Sequence, residues 1–135
     1  MNMPRQYKRN NRGISISLGQ RQMNISKRVM YLLGNPDAIT FVPSEEYEDW
    51  MILLPGDLDI PCAETGFIHY RRKQKKSGAY ISSVRLIRKI YTDYGIVRNN
   101  HRCFSPFYMS DPGEYNGIPC VHVCMDNFDQ YYDRD

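Results

Sequence analysis

Two short helical segments, each bounded at both ends by residue type, limit what this chain can fold into. Ser26 is a good N-cap, since its hydroxyl can accept from a free N–H of the first turn. Lys27 to Leu33 then reads as a short helix with Val29, Met30, Leu32 and Leu33 apolar. Gly34 suits a left-handed stop, and Asn35-Pro36 prevents continuation. Ser82 or Ser83 caps the second segment, about Val84 to Tyr94, which Gly95 closes. Its apolar stripe is Val84, Leu86, Ile87, Ile90, Tyr91 and Tyr94, and Arg85, Arg88 and Lys89 share the opposite side.

The rest of the chain reads as strands. Ile14, Ile16 and Leu18 alternate with Ser15 and Ser17, the period-two signal of a half-buried strand. Met23 and Ile25 form a second run. Ala38–Val42 and Trp50–Leu54 make a hairpin around an acidic turn, bounded by Pro43 and Pro55-Gly56-Asp57. Residues 58–66 read as a loop, Phe67 to Arg71 as a strand, and Arg71 to Gly78 as a basic loop. Two more strands follow, near Arg102–Tyr108 and Ile118–Met125, joined by a turn at Asp111-Pro112-Gly113. The expected fold class is α+β: a small, mostly antiparallel sheet or half-barrel with two helices.

At 135 residues the chain has the size of one domain. The reading is a disordered basic arm over 1–12, a single domain over 13–128, and an acidic tail over 129–135. Residues 13–57 and 67–125 each carry a strand end, a hydroxyl cap, a helix, a glycine stop and further strands, a pattern that an internal repeat would leave and that any two strand–helix–strand units also share.

The net charge of +3 hides a block pattern. Residues 1–28 carry bases and no acid; residues 37–64 carry acids and no base; residues 71–102 carry ten bases against Asp93 alone. Charge segregated along a chain can become charge segregated in space, and a basic face attracts polyanions. The opposing reading pairs the blocks across the fold. Arg71, Arg72, Lys73, Lys75 and Lys76, extended by Arg85, Arg88 and Lys89, form the candidate phosphate-binding patch. Tyr70, Tyr80 and Tyr91 lie nearby in sequence and could stack on exposed bases.

Catalytic signatures are missing from the sequence: no phosphate-binding loop, nucleophile elbow or His-Glu-x-x-His helix. The expectation is a protein that is not an enzyme and needs no cofactor. Cys62, Cys103, Cys120 and Cys124 read as free thiols or metal ligands in a reducing compartment. His101 with Cys103, and Cys120, His122 and Cys124 at alternate positions, are the metal candidates. No CxxC knuckle is present, so no metal site is expected. The expected arrangement turns Val121, Val123 and Met125 to the core and leaves the Cys/His face half exposed. No apolar run approaches the roughly 20 residues of a membrane span, and the basic start lacks a signal-peptide core. A cytoplasmic location and no membrane partner are expected.

The segment Arg21-Gln22-Met23-Asn24-Ile25-Ser26-Lys27-Arg28-Val29-Met30-Tyr31-Leu32-Leu33-Gly34, followed by a hairpin, resembles the AbrB/MraZ swapped-hairpin family. Ile25-Ser26-Lys27 and Leu33-Gly34 stand at its two motifs. Ser26 replaces the usual proline, and Pro36-Asp37 stands near the usual Gly-Asp. The likeness covers residues 13–57. It implies interleaved half-barrels, commonly as a homodimer, and DNA binding through Arg21, Lys27 and Arg28 at matching positions. The whole chain also resembles small proteins of gut bacteria and their phages, which implies a mobile-element origin. The favoured function is non-catalytic nucleic-acid binding, in transcriptional regulation within a mobile element. The alternative is a phage-encoded inhibitor of a host defence protein, with the acidic block 37–64 mimicking nucleic acid.

Overall fold

A computed structural model describes residues 13–17, 21–46, 48–94, 107–108 and 113–125. The basic arm 1–12, the acidic tail 129–135, and His101 and Cys103 lie outside them. The described chain runs β1 (Ile14–Ser17), β2 (Gln22–Ile25), α1 (Lys27–Leu32), β3 (Ala38–Pro43), β4 (Trp50–Pro55), β5 (Glu64–Phe67) and β6 (His69–Arg72). A single 3-10 turn (Lys73–Lys75), β7 (Ser77–Ser82), α2 (Val84–Asp93), β8 (Phe107–Tyr108), β9 (Gly113–Tyr115) and β10 (Ile118–Cys124) complete it. The fold class is α+β, mostly antiparallel, with two helices, as the sequence patterns predict.

The strands form two sheets. One is ordered β1-β2-β7-β6; the other is ordered β5-β3-β4-β10-β8, with β9 also paired to β10. In the first sheet Ile14 pairs with Ile25 and Ile16 with Met23, so the alternation puts all four on the core face. Ala79 and Ile81 of β7 join them. Both helices are capped as expected: the Val29 N–H donates to Ser26 Oγ and the Leu86 N–H to Ser83 Oγ, each at 3.2 Å. They bury equivalent residues, Val29, Met30 and Leu33 in the first and Leu86, Ile87 and Ile90 in the second.

One apolar cluster joins both sheets and both helices. A second, of Val42, Ile52, Leu54 and Cys120, lies under Leu58, Ile60, Ala63, Tyr115 and Ile118. The central strands β3 and β4 are therefore buried on both faces, which explains their unbroken apolar runs. The one buried polar side chain among the described residues, Thr40, is fully hydrogen-bonded. Its hydroxyl donates to the Gly56 carbonyl at 2.7 Å, accepts from the Leu58 N–H at 2.9 Å, and lies 3.2 Å from Thr65 Oγ1.

Several boundaries differ from expectation. The loop expected over 58–66 yields to β5 from Glu64, which pairs with β3 along Ala38–Phe41. Gly66 makes this close packing possible: a Cβ there would stand 2.7 Å from Ile81 side-chain carbons and 3.0 Å from Leu86. The strand expected over 67–71 is split at Ile68, whose N–H donates to the Asp37 carbonyl at 2.8 Å as the chain passes between sheets. The basic loop ends earlier than Gly78, because β7 begins at Ser77. Of the turn expected at Asp111-Pro112-Gly113, Asp111 and Pro112 lie outside the described residues and Gly113 belongs to β9; β9 and β10 are joined by a further turn at Asn116-Gly117, with φ of 49° and 84°. That dipeptide suits a turn needing two left-handed residues.

The sequence also misjudges the Cys/His face. Val121, Val123 and Met125 face the main core as expected, but Cys120 and Cys124 are buried too and His122 is half-buried. The second apolar cluster includes Cys120.

Leu33→Ala should cost about 2–5 kcal/mol by opening a cavity beneath α1. Denaturant titration checks it; a loss under about 0.5 kcal/mol would place Leu33 outside the core.

Candidate nucleic-acid interface

With Ile14, Ile16, Met23, Ile25, Ala79 and Ile81 turned inward, period two sends their neighbours to the opposite face of the first sheet. Asn24, Tyr80 and His69 form one row across β2, β7 and β6. The His69 and Tyr80 rings stack with centroids 5.3 Å apart. The Arg71 guanidinium lies 5.8 Å from the Tyr80 ring centre, and its Nη2 donates to Asn24 Oδ1 at 2.9 Å. Gln22 Nε2 donates to the same oxygen at 3.0 Å. Arg71 is thus held by a ring and an amide, while other N–H groups of its five-donor fork remain for a ligand.

The β6–β7 turn adjoins this cluster. Arg72, Lys73, Lys75 and Lys76 are all exposed. Lys76 takes a left-handed φ of 47°, and Gly78, with φ of 67°, leaves room for Arg71: a Cβ at Gly78 would stand 3.0 Å from Arg71 Cβ. The antiparallel register sets the C-terminal end of β2 beside the N-terminal end of β7. Lys27 and Arg28, which open α1 directly after β2, therefore stand at the same end of the sheet as this turn. Both are exposed, and Arg28 lies over the Tyr31 ring at 5.3 Å.

The opposite end is weaker. Arg21, exposed with φ of 54°, closes the β1–β2 turn there. Arg85, in the first turn of α2 after β7, shares that end and lies 3.4 Å from Glu64. Arg88 and Lys89 sit further along α2. Arg88 is exposed; Lys89 pairs with Asp93 at 3.0 Å. The helix stripe read from sequence as part of one patch is thus partly neutralised, whereas no ion pair among the described residues reaches Arg71, Arg72, Lys73, Lys75 or Lys76.

The charge blocks resolve into layers. Residues 13–25 and 69–82, which supply every strand and turn of the first sheet, contain no Asp or Glu. Asp37, Glu45, Glu46, Glu48, Asp57 and Asp59 are exposed on loops of the other sheet. Of the tyrosines named as stacking candidates, Tyr80 lies on the outer face. Tyr70 and Tyr91 are half-buried against the main core. Gln22, Asn24 and His69 were not singled out from sequence; the period-two alternation around Met23 and Ile25 contained the signal for the first two.

The thiol–imidazole candidates are poorly suited to reaction. Cys120 Sγ lies 3.9 Å from His122 Nδ1. Burial, then the charge of Glu114, pushes the Cys120 thiol up to about 11. Burial also lowers the His122 pKa, against the opposing pull of Glu46. Both groups are neutral at pH 7. Among the described residues no group of three His, Cys, Asp or Glu is placed to hold a metal ion. No helix among them is long and apolar enough to cross a membrane.

Comparison with known protein families, with curated proteins and with solved structures finds no match to this chain.

Two outcomes follow from the buried thiols. Cys62 is exposed and should alkylate rapidly, while Cys120 stays unmodified until the protein unfolds, as peptide mapping would show. The folded Cys120 thiol also holds its proton above its ordinary value of 9.0. Its contribution to stability is full below about pH 9 and is lost as pH rises through about 11. Tyr94, raised mainly by burial, acts in the same direction. Denaturant midpoints should therefore fall between about pH 8 and about pH 10.5; a flat profile would contradict the burial.

Proposed function

We propose that this protein binds nucleic acid without catalysis, through the outer face of the β1-β2-β7-β6 sheet, as a regulator within a mobile element. The observation that carries this reading is the acid-free sheet. Six exposed bases, Arg21, Arg71, Arg72, Lys73, Lys75 and Lys76, line its strands and turns, and no Asp or Glu lies in those segments to offset them. Such a layer concentrates positive potential and releases counterions from a phosphate backbone on contact. Arg71 adds a directed element, because a guanidinium held over Tyr80 loses less freedom when it grips a phosphate oxygen or a base edge. The likeness of residues 13–57 to the swapped-hairpin family supports the same reading, and in that family Arg21, Lys27 and Arg28 stand at DNA-binding positions.

A second reading rests on the other layer. The exposed carboxylates of residues 37–59 give a surface that a nucleic-acid-binding host protein could accept in place of its ligand. An inhibitor of that kind would capture its target from host lysate equally well after nuclease treatment.

The deciding variant replaces Arg72, Lys73, Lys75 and Lys76 together with Ala. These residues are exposed, so stability should barely change. Affinity for nucleic acid should fall at every sequence tested, and the slope of log K against log salt should flatten by about one unit per lost phosphate contact. The triple variant of Arg85, Arg88 and Lys89 should have a smaller effect, since two of its three bases already have acidic partners. A folded quadruple variant with unchanged affinity and slope would remove the sheet from the binding site.

A further inference from the structure

We infer that the acid-free sheet binds duplex rather than single-stranded nucleic acid, with one chain supplying both halves of a two-fold contact. This rests on the nucleic-acid reading and specifies its ligand.

The strand orders carry the argument. Exchange β1-β2-α1-β3-β4 with β6-β7-α2-β8-β10, and the order β1-β2-β7-β6 reads the same backwards. So does β3-β4-β10-β8. Both central pairs, β2 with β7 and β4 with β10, are antiparallel, as a two-fold axis through each sheet requires. Each helix crosses to the other half: α1 packs on β7 and α2 on β2. Each serine cap is followed by a buried triplet at the same spacing, and the second half carries one residue more between strand and cap, since Ser82 stands between Ile81 and Ser83 whereas Ser26 directly follows Ile25. Even the hairpin turns match in length, closing between Ser17 and Gln22 and between Arg72 and Ser77. Strands β5 and β9 are additions outside this scheme. Equating Ile25 with Ile81 equates Asn24 with Tyr80, and these two residues are paired with each other. The axis therefore passes through the centre of the polar cluster on the outer face.

That axis relates the two basic ends of the sheet. One holds the Arg72–Lys76 turn with Lys27 and Arg28; the other holds Arg21 and Arg85. The length of β7 from Ser77 to Ser82 separates them, about 17 Å at roughly 3.3 Å per residue. A duplex has two backbones related by local two-fold axes, so a two-fold protein can grip both at once. A single strand has no such symmetry and would engage one end alone.

The aromatic arrangement points the same way. Binding of single strands commonly uses a row of open rings on which successive bases stack. Here Tyr80 already has His69 and Arg71 as ring neighbours, and Tyr70 packs against the core. The face offers donors and charge in place of a stacking platform. Its two ends are unequal, since Arg85 is paired with Glu64, so they contribute unequally to the salt slope.

The test measures anisotropy of the full chain with a mixed-sequence duplex of about 20 base pairs, and with each of its strands alone, at two salt concentrations. Sedimentation equilibrium gives the stoichiometry. Binding to the duplex should be at least about tenfold tighter than to either strand, with one chain per site. Arg21→Gly removes the charge of the weaker end, and glycine adopts the left-handed φ there without strain. It should weaken duplex binding and flatten the duplex salt slope by more than it does for either single strand. Equal or tighter binding to a single strand would overturn the inference. So would two chains per site, or a folded Arg21→Gly variant that binds duplex as the parent does. Absence of binding to any nucleic acid would remove the parent reading as well.

Discussion

The antiparallel pairing of β2 with β7 is the constraint on which the rest of the structure depends. It joins residues 22–24 to residues 80–82, so it closes the first sheet across 56 to 60 positions of the chain. It brings Met23 and Ile25 alongside Ala79 and Ile81 to make one continuous apolar floor. Each helix then departs from one of these strands and packs on the other. The outer face inherits its composition from the same register. A shift of one residue in β2 would turn Asn24 inward and present Met23 to water.

Charge separation in this protein is a product of topology. Bases and acids are segregated in blocks along the chain, and blocks can end up interleaved or apart. Here the acid-free stretches 13–25 and 69–82 fall in the same sheet, while the acidic stretch 37–64 builds the strands and loops of the other. The cross-block pair Arg85–Glu64 sits where α2 packs near β5, at the border between layers. Because Arg85 is largely exposed, that pair contributes little to stability. Its larger effect is to lower the net charge at one end of the basic sheet.

Much of this architecture was legible in the sequence. Alternation at Ile14–Ile16, the Ser26 and Ser83 caps, and the stripe Leu86-Ile87-Ile90 translate directly into elements, because each rests on a local rule. What was illegible depends on distant partners. The strand at Glu64–Phe67 has weak β character of its own and exists because β3 offers an edge and Gly66 has no side chain to clash with Ile81. Burial of Cys120 follows from a cover supplied by Leu58, Ile60, Ala63, Tyr115 and Ile118, which no periodicity in β10 announces. The Asn116-Gly117 turn was readable from its residue types and was not singled out. For the candidate site, the basic turn was plain from composition. The cluster of Gln22, Asn24, His69, Arg71 and Tyr80 needed the register, since its members lie up to 58 residues apart.

The pairing of β2 with β7 also sets a timetable. A ribosome releases β1, β2, α1, β3 and β4 long before β7 exists, and the helix among them, α1, needs β7 and β10 to pack upon. Until residue 82 emerges, Met23, Ile25, Val29 and Met30 have no complete cover. Sequence-distant pairing of this kind slows folding, typically into the range of milliseconds to seconds. The nascent first half therefore spends its waiting time with an apolar surface open to chaperones, to its own second half, or to the first half of another chain. Apolar surface left open in this way during synthesis is where exchange between chains generally begins.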